Sequence, residues 1–293
     1  MHVRTYFPAA DLAGVLRAIE VYEFTDDHPG FANLTLLPSF VNGFLFTQYV
    51  GQPARMYSKK YHAGRTVTED TLLSSLSQPV SLTGLSRLRA VRVLFVPGVL
   101  PSLYAHPMSE FRGVSVSLGE ALDPALCELK DRLFAEWDKG TQVALVENYL
   151  CNRLRKQQPY RRALYPALDR YFAERGYGLR VAKIACQLGF GERDLHRKID
   201  HQVGIPPSQF RNLHRFHRAV RDLLRHPERS LRQIGISLDY TDQSHFNREF
   251  RRLSGLSPGA FRGCWDRREV IMPHAGLRPQ DTGILLAAAA GAG

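Results

Sequence analysis

Two short segments of this 293-residue chain carry hydrogen-bonding side chains in the same arrangement. In one, Arg193, His196 and Arg197 fall at i, i+3 and i+4. In the other, Ser244, Asn247 and Arg248 do the same, with Gln243 beside them. Positions so spaced share one face of a helix. Arginine can bind guanine with two parallel hydrogen bonds, and Asn or Gln can do so with adenine. For either segment alone, an ordinary solvated helix face would be the simpler reading. The recurrence of the face at one register favours base reading.

The elements that carry these faces are themselves repeated. "GERDLHRKIDHQVGIPPSQFR" (191–211) and "TDQSHFNREFRRLSGLSPGAFR" (241–262) overlay so that Leu195 meets Phe246, Arg197 meets Arg248, and Ile199 meets Phe250. Gly204, Pro207 and Phe210 likewise meet Gly255, Pro258 and Phe261. Upstream, "KIACQLGF" pairs with "QIGISLDY", Ile184 with Ile234 and Phe190 with Tyr240. Two copies are too few for a solenoid and imply a duplicated supersecondary unit. Each reads as helix, tight turn, helix. Val181, Ile184, Ala185 and Leu188 make the first stripe, Gly189 to Gly191 the turn, and Leu195 and Ile199 pack back. Leu231, Ile234, Leu238, Phe246 and Phe250 repeat the pattern. In a helix-turn-helix, the second helix enters the major groove of duplex DNA.

Charge supports a polyanionic partner. The net charge is +11. Residues 1–158 are nearly balanced, so almost all of the excess lies in the half with the repeat, as expected for nucleic acid first and an anionic membrane second. No apolar run reaches the ~20 residues needed to span a bilayer. "MHVRTYFPAADLAG" lacks the apolar core and cleavage site of a signal peptide. Cys127, Cys151, Cys186 and Cys264 are widely spaced and are expected as buried, reduced thiols of a cytoplasmic protein.

Residues 1–120 read mainly as β-structure, from "ANLTLLPSFVNGFLFTQYV" and "AVRVLFVPGVL", apolar runs rich in β-branched and aromatic residues and punctuated by Pro, Gly and Asn. Helices follow. Leu126, Leu129, Leu133 and Trp137 share one inward face after an Asp123-Pro124 start, and Val143, Val146, Tyr149, Leu150 and Leu154 share another. Expected boundaries are a sensor and dimerisation domain at 1–155, a linker at 156–162, an all-helical DNA-binding domain at 163–265 and a mobile tail at 266–293. The fold class is α+β in two domains. The N-terminal one is a mainly-β barrel or sandwich, cupin-like, with trailing helices; the C-terminal one is an all-α tandem helix-turn-helix. Between the units, "PSQFRNLHRFHRAVRDLLRHP" puts Phe210, Leu213, Phe216, Val220 and Leu223 at helical spacing, long enough for a stiff connecting rod.

"SLRQIGISLDYTDQSHFNREFRRLSGLSPGAFR" resembles the second helix-turn-helix of the AraC/XylS family of bacterial transcription regulators, and the resemblance covers roughly residues 160–263. It implies seven helices, with two helix-turn-helix units joined by a long helix. Three positions depart from the family pattern: Gly235 replaces the usual Ala, and Asp239-Tyr240 replaces the usual Gly-Phe. "VRVLFVPGVLPSLYAHPMSEFRGVSVSLGEAL" and the helical pair after it resemble the sensor domain of some AraC-type regulators. That implies a small β-barrel or sandwich able to take an effector, with trailing helices, 123–154, available for a homodimer. Candidate partners are thus double-stranded DNA, RNA polymerase and a small-molecule effector, without a membrane, and no cofactor is expected.

In the sensor half, Phe40, Phe44, Phe46, Tyr49, Tyr57, Tyr61, Phe95 and Tyr104 could line a pocket, although such residues more often fill a β core. His62 and His106 lack partners at metal-ligand spacing, so no metal site is expected. An Ada-type repair protein that transfers alkyl groups to cysteine is one alternative. Cys264, among Arg262, Arg267 and Arg268, is its weak candidate, and the Pro-Cys-His-Arg signature is absent. Nothing marks a hydrolase or nucleotide-binding motif, and the chain is not read as an enzyme. A regulator controlled by a protein partner rather than an effector is the other alternative.

Overall fold

The computed structural model describes residues 2–24, 33–49, 53–58, 61–67, 69–83, 87–112, 116–156, 164–266, 270–271 and 285–287. The expected linker, apart from Lys156, lies outside them.

The N-terminal half holds β1 (His2–Tyr6), β2 (Leu16–Phe24), β3 (Asn33–Leu36), β4 (Gly43–Tyr49), β5 (Arg55–Ser58), β6 (Tyr61–Thr66), β7 (Asp70–Leu73), β8 (Val80–Thr83) and β9 (Leu88–Phe95). Then come α1 (Leu100–Tyr104), α2 (Leu118–Ala121), α3 (Ala125–Ala135) and α4 (Lys139–Arg155). The C-terminal half holds α5 (Tyr165–Arg175), α6 (Val181–Gln187), α7 (Glu192–Val203), α8 (Pro207–Arg225), α9 (Leu231–Ser237), α10 (Gln243–Ser254) and α11 (Pro258–Asp266). From α5 to α11 these are the seven helices the resemblance implies. Two short strands, β10 (Val270–Ile271) and β11 (Leu285–Ala287), come last.

The strands form two antiparallel sheets, ordered β1-β2-β9-β4-β7 and β10-β11-β3-β8-β5-β6. The β half is therefore a sandwich and not a closed barrel. β11 pairs with β3, Leu285 opposite Leu36, so the expected tail contributes strands to the second sheet; the rest of that tail lies outside the described residues.

Strand alternation divides the first sheet's side chains between two faces. Ile19, Val21, Phe44, Phe46, Val91, Val93 and Phe95 form one buried face, packed with Leu100, Tyr104, Leu126, Leu129, Leu133, Val146 and Leu150 of the helices. On the other face, Tyr22, Leu88 and Ala90 meet Ala54, Val67, Met56 and Leu82 from the second sheet's side. Between them, Arg92 Nη1 donates to Glu20 Oε2 at 3.2 Å, and Tyr22 Oη donates to the same oxygen at 2.6 Å. Burial, with the Glu20 carboxylate alongside, pushes the Tyr22 phenol well above its usual range. A buried ion pair demands such additional hydrogen bonds.

Two expectations are corrected here. α3 ends at Ala135, so Trp137 does not continue its apolar face. It is 76% exposed and lies against the Arg89 guanidinium, 4.3 Å from its centroid. The thiols are also less buried than expected: Cys127 and Cys186 are exposed, and Cys151 and Cys264 half-buried. Helical periodicity marks the apolar positions of a face but says little about a residue at the stripe's margin or past its end.

Candidate nucleic-acid interface

The first unit is α6, a turn and α7. Gly189 sits in the left-handed region at φ 76°, and the Phe190 N–H closes the turn on the Ala185 carbonyl at 2.9 Å. A residue with a Cβ is disfavoured in that conformation. Leu195, Ile199 and Val203 bury one side of α7. That leaves Arg193, His196 and Arg197 exposed on the other. Arg197, its side chain 79% exposed, donates through Nη2 to Asp194 Oδ1 at 2.7 Å. This bond holds the Asp194 carboxyl below its usual range and orients the guanidinium.

The second unit repeats the geometry with different chemistry. Ser230 and Gln233 form a capping box at the start of α9, which satisfies donors that a helix N-terminus otherwise leaves open. The Tyr240 N–H reaches the Gly235 carbonyl at 3.1 Å. Here the left-handed residue is Asp239, at φ 56°. Asp242 caps α10 by accepting from the His245 N–H at 2.6 Å. Phe246, Phe250 and Leu253 are buried, and Gln243, Ser244 and Arg248 are exposed. Asn247 is half-buried, with its Oδ1 enclosed and without a hydrogen-bond partner. It is thus set further in than Ser244 and Arg248.

α8 joins the units, and Phe210, Leu213, Phe216, Val220 and Leu223 bury its length. Arg215, midway along α8, pairs with Glu249 on α10 at 2.5 Å and lies 4.0 Å from the Tyr240 ring centroid. The periodicity that placed α8 could not show these polar ties.

The sequence also gave no sign that the two halves share a seam. Phe40, from the loop between β3 and β4, is fully buried among Tyr165, Phe210, His214 and His217, with ring centroids 5.0 to 5.9 Å away. His217 Nε2 lies 2.9 Å from the Pro38 carbonyl. At the end of α7, Ser75 Oγ donates to the Val203 carbonyl, and Arg112 donates to the Gly204 carbonyl at 2.6 Å and to Asp200. A Cβ at Gly204 would meet the Met108 carbonyl oxygen at 2.6 Å. The N-terminal half thus grips the C-terminal end of one candidate reading helix and leaves Arg193, His196 and Arg197 exposed.

Phe44, Phe46, Phe95 and Tyr104 fill the core under the helices, whereas Tyr49 packs partly buried between the sheets. The side chains of Tyr61 and His62 lie outside the described residues. His106 faces Glu110 at 3.5 Å. Among the described residues, no group of three or more His, Cys, Asp or Glu is placed to hold a metal.

Comparison with known proteins bears on the C-terminal half. Residues 184–263 match a family model described as "Helix-turn-helix domain". The HTH-type transcriptional activator RhaS of Escherichia fergusonii is 35% identical over 95 residues, covering 32% of this chain and 33% of that protein. RhaS of Escherichia coli is 37% identical over 75 residues, covering 26% and 27%. The chain thus spans about a third of the length of the curated relatives it matches. Among solved structures, a regulator with an AraC-type DNA-binding domain from Chromobacterium violaceum is 27% identical, covering 29% of this chain and 76% of that one, with a TM-score of 0.28. ToxT of Vibrio cholerae is 15% identical, covering 83% and 94%, with a TM-score of 0.45. With the duplicated turns, the joining helix α8 and this match together, the C-terminal half of the chain carries a helix-turn-helix domain similar to that of the RhaS transcriptional activators.

Proposed function

We propose that the protein is a sequence-specific DNA-binding transcription regulator without enzymatic activity. α7 and α10 of one chain read successive major-groove faces about one helical turn apart. The reading rests above all on the two exposed faces repeated at one register. Arg193, His196 and Arg197 lie on one; Gln243, Ser244 and Arg248 lie on the other, with Asn247 half-buried at its edge. The basic surface around them holds phosphates and makes binding salt-dependent. A small-molecule effector in the sandwich would act through the Phe40 seam, where the sensor half holds α7 and α8. RNA polymerase and a second copy through α3 and α4 complete the proposed partners. Among the described residues no helix is long and apolar enough to cross a membrane, and a cytoplasmic location belongs to the same reading.

The alkyl-transfer alternative finds no support in the comparisons. Cys264 is half-buried. At the exposed Cys127, partial desolvation and the Asp70 carboxylate push the thiol up, which disfavours the nucleophilic thiolate.

The test is selection of genomic fragments by the full-length protein at near-physiological salt. Enrichment of a two-part motif with halves about one turn apart supports the assignment. Retention of fragments without a shared motif, or loss of all retention at that salt, defeats it.

A further inference from the structure

We infer that Asp239 is a positioning residue that fixes the second reading helix relative to the first, and so sets the spacing between the two DNA half-sites that the chain accepts. This rests on the reading of α7 and α10 as DNA-reading helices.

The two turns differ in one respect. In the first, Gly189 faces open space, where an added Cβ would meet nothing within 4 Å. In the second, the equivalent residue is Asp239, which accepts the left-handed conformation more readily than most non-glycine residues. Its carboxylate reaches across the domain: Oδ2 accepts from the Tyr177 N–H at 2.6 Å. Tyr177 lies between α5 and α6, on the segment leading into the first unit. It is fixed there by stacking on Phe172, with centroids 5.1 Å apart, and by its hydroxyl 2.8 Å from His214 Nδ1. Two residues on, Leu179 is held by Arg211 of α8 at 2.9 Å. Room for the carboxylate comes from Gly176, where a Cβ would overlap Asp239.

Arg215 ties the second unit to α8 through Glu249 and the Tyr240 ring. The Asp239 bond is of another kind, because it joins the turn of the second unit directly to the segment entering the first, which α8 holds at its other side through His214 and Arg211. A body held at two separate places cannot pivot about either. One base pair of spacer moves a half-site by about 3.4 Å and turns it by about 35°. A rigid two-headed reader cannot follow that change, and a hinged one can. The first unit has Gly189 at this position, so the tie belongs to the second turn alone.

The experiment uses full-length protein and duplexes that carry the preferred two-part site with zero, one or two base pairs added or removed between the halves. Wild type is expected to lose about tenfold or more in affinity per base pair of change, the scale of a mismatched base pair. Asp239→Gly keeps the turn, because glycine suits its backbone, but removes the carboxylate. Its loss is expected to shrink to about threefold or less on that scale. Asp239→Asn, whose amide oxygen can accept the same N–H and which tolerates the left-handed region, is expected to keep the narrow profile. A residue serving the turn's stability alone would not separate these two variants by spacing. A profile for Asp239→Gly as narrow as wild type overturns the inference.

Hydrogen exchange of the free protein supplies a readout that needs no DNA. The Tyr177 amide is expected to exchange faster in Asp239→Gly and not in Asp239→Asn, and unchanged exchange in Asp239→Gly also overturns the inference. If wild type selects no two-part site, the DNA-reading assignment fails, while exchange still decides whether Asp239 ties the units.

Discussion

Arg215 on α8 and Glu249 on α10 meet at 2.5 Å with both side chains only 8% exposed. His245 lies 3.5 Å from the same carboxylate oxygen. The joining helix therefore reaches into the second unit through a buried charge pair. Such a pair is strongly destabilising to break from one side, because the remaining charge is left buried alone. Arg215→Ala or Glu249→Ala should each cost about 3–5 kcal/mol of stability. Replacement of both by apolar residues of similar volume should cost far less. Urea denaturation of the three variants checks this, and equal losses in single and double variants would contradict it.

Arg197 and Arg248 are exposed on α7 and α10, so truncating them should leave folding intact. Arg197→Ala and Arg248→Ala should each weaken binding to the preferred site by about 1–3 kcal/mol and relax selection at a few base pairs. Binding to random duplex should change little. Competition binding with melting curves measures both. Wild-type affinity in both variants would mean that the reading face lies elsewhere.

Gly235 is buried in α9 beneath Phe246, and an added Cβ would lie 3.5 Å from that side chain, in ordinary contact. Gly235→Ala should therefore gain about 1 kcal/mol, the difference in helix propensity, with DNA preference unchanged. Thermal melting is the measurement, and a loss of stability would show that Phe246 cannot accommodate the methyl group.

His214 is fully buried at the seam, and desolvation holds its imidazole below the usual range, although Asp169 Oδ1 lies 2.9 Å from Nε2 and opposes that shift. Arg218 and Arg221 lower it further. The folded protein thus binds this proton less readily than the unfolded chain, whose histidine titrates near ~6.5. Stability should fall as pH drops from 7 to 5, since the unfolded state takes up more protons there. His214→Gln should flatten that part of the profile. A wild-type profile that rises on acidification through this window would reverse the sign.

Phe40 fills the space between the halves. Phe40→Ala should cost about 3–5 kcal/mol, as for other buried aromatic truncations. Proteolysis between the halves should become faster. Unchanged cleavage would show that the seam does not depend on this ring.

The sequence determined the helical half almost completely. Leu195, Ile199, Phe246 and Phe250 recur at one spacing, the first turn is marked by its glycines, and α8 is continuous in period. These signals are legible because a helix-turn-helix is built from neighbours in the chain, and a period of 3.6 residues survives in any single sequence. The β half was legible only as strands. Its sandwich form, with β11 returning to β3, depends on which distant edges pair, and alternation does not encode partners. The same holds for the ties that position α7 and α10. Asp239 to Tyr177, Arg215 to Glu249 and Phe40 to Phe210 each join residues far apart in sequence. Trp137 shows the converse: its spacing suited the buried stripe, but α3 stops two residues earlier, and the ring lies exposed against Arg89. Local periodicity determined which faces exist. Only the tertiary structure decided what those faces meet, because contact energies between distant segments leave no periodic trace in the chain.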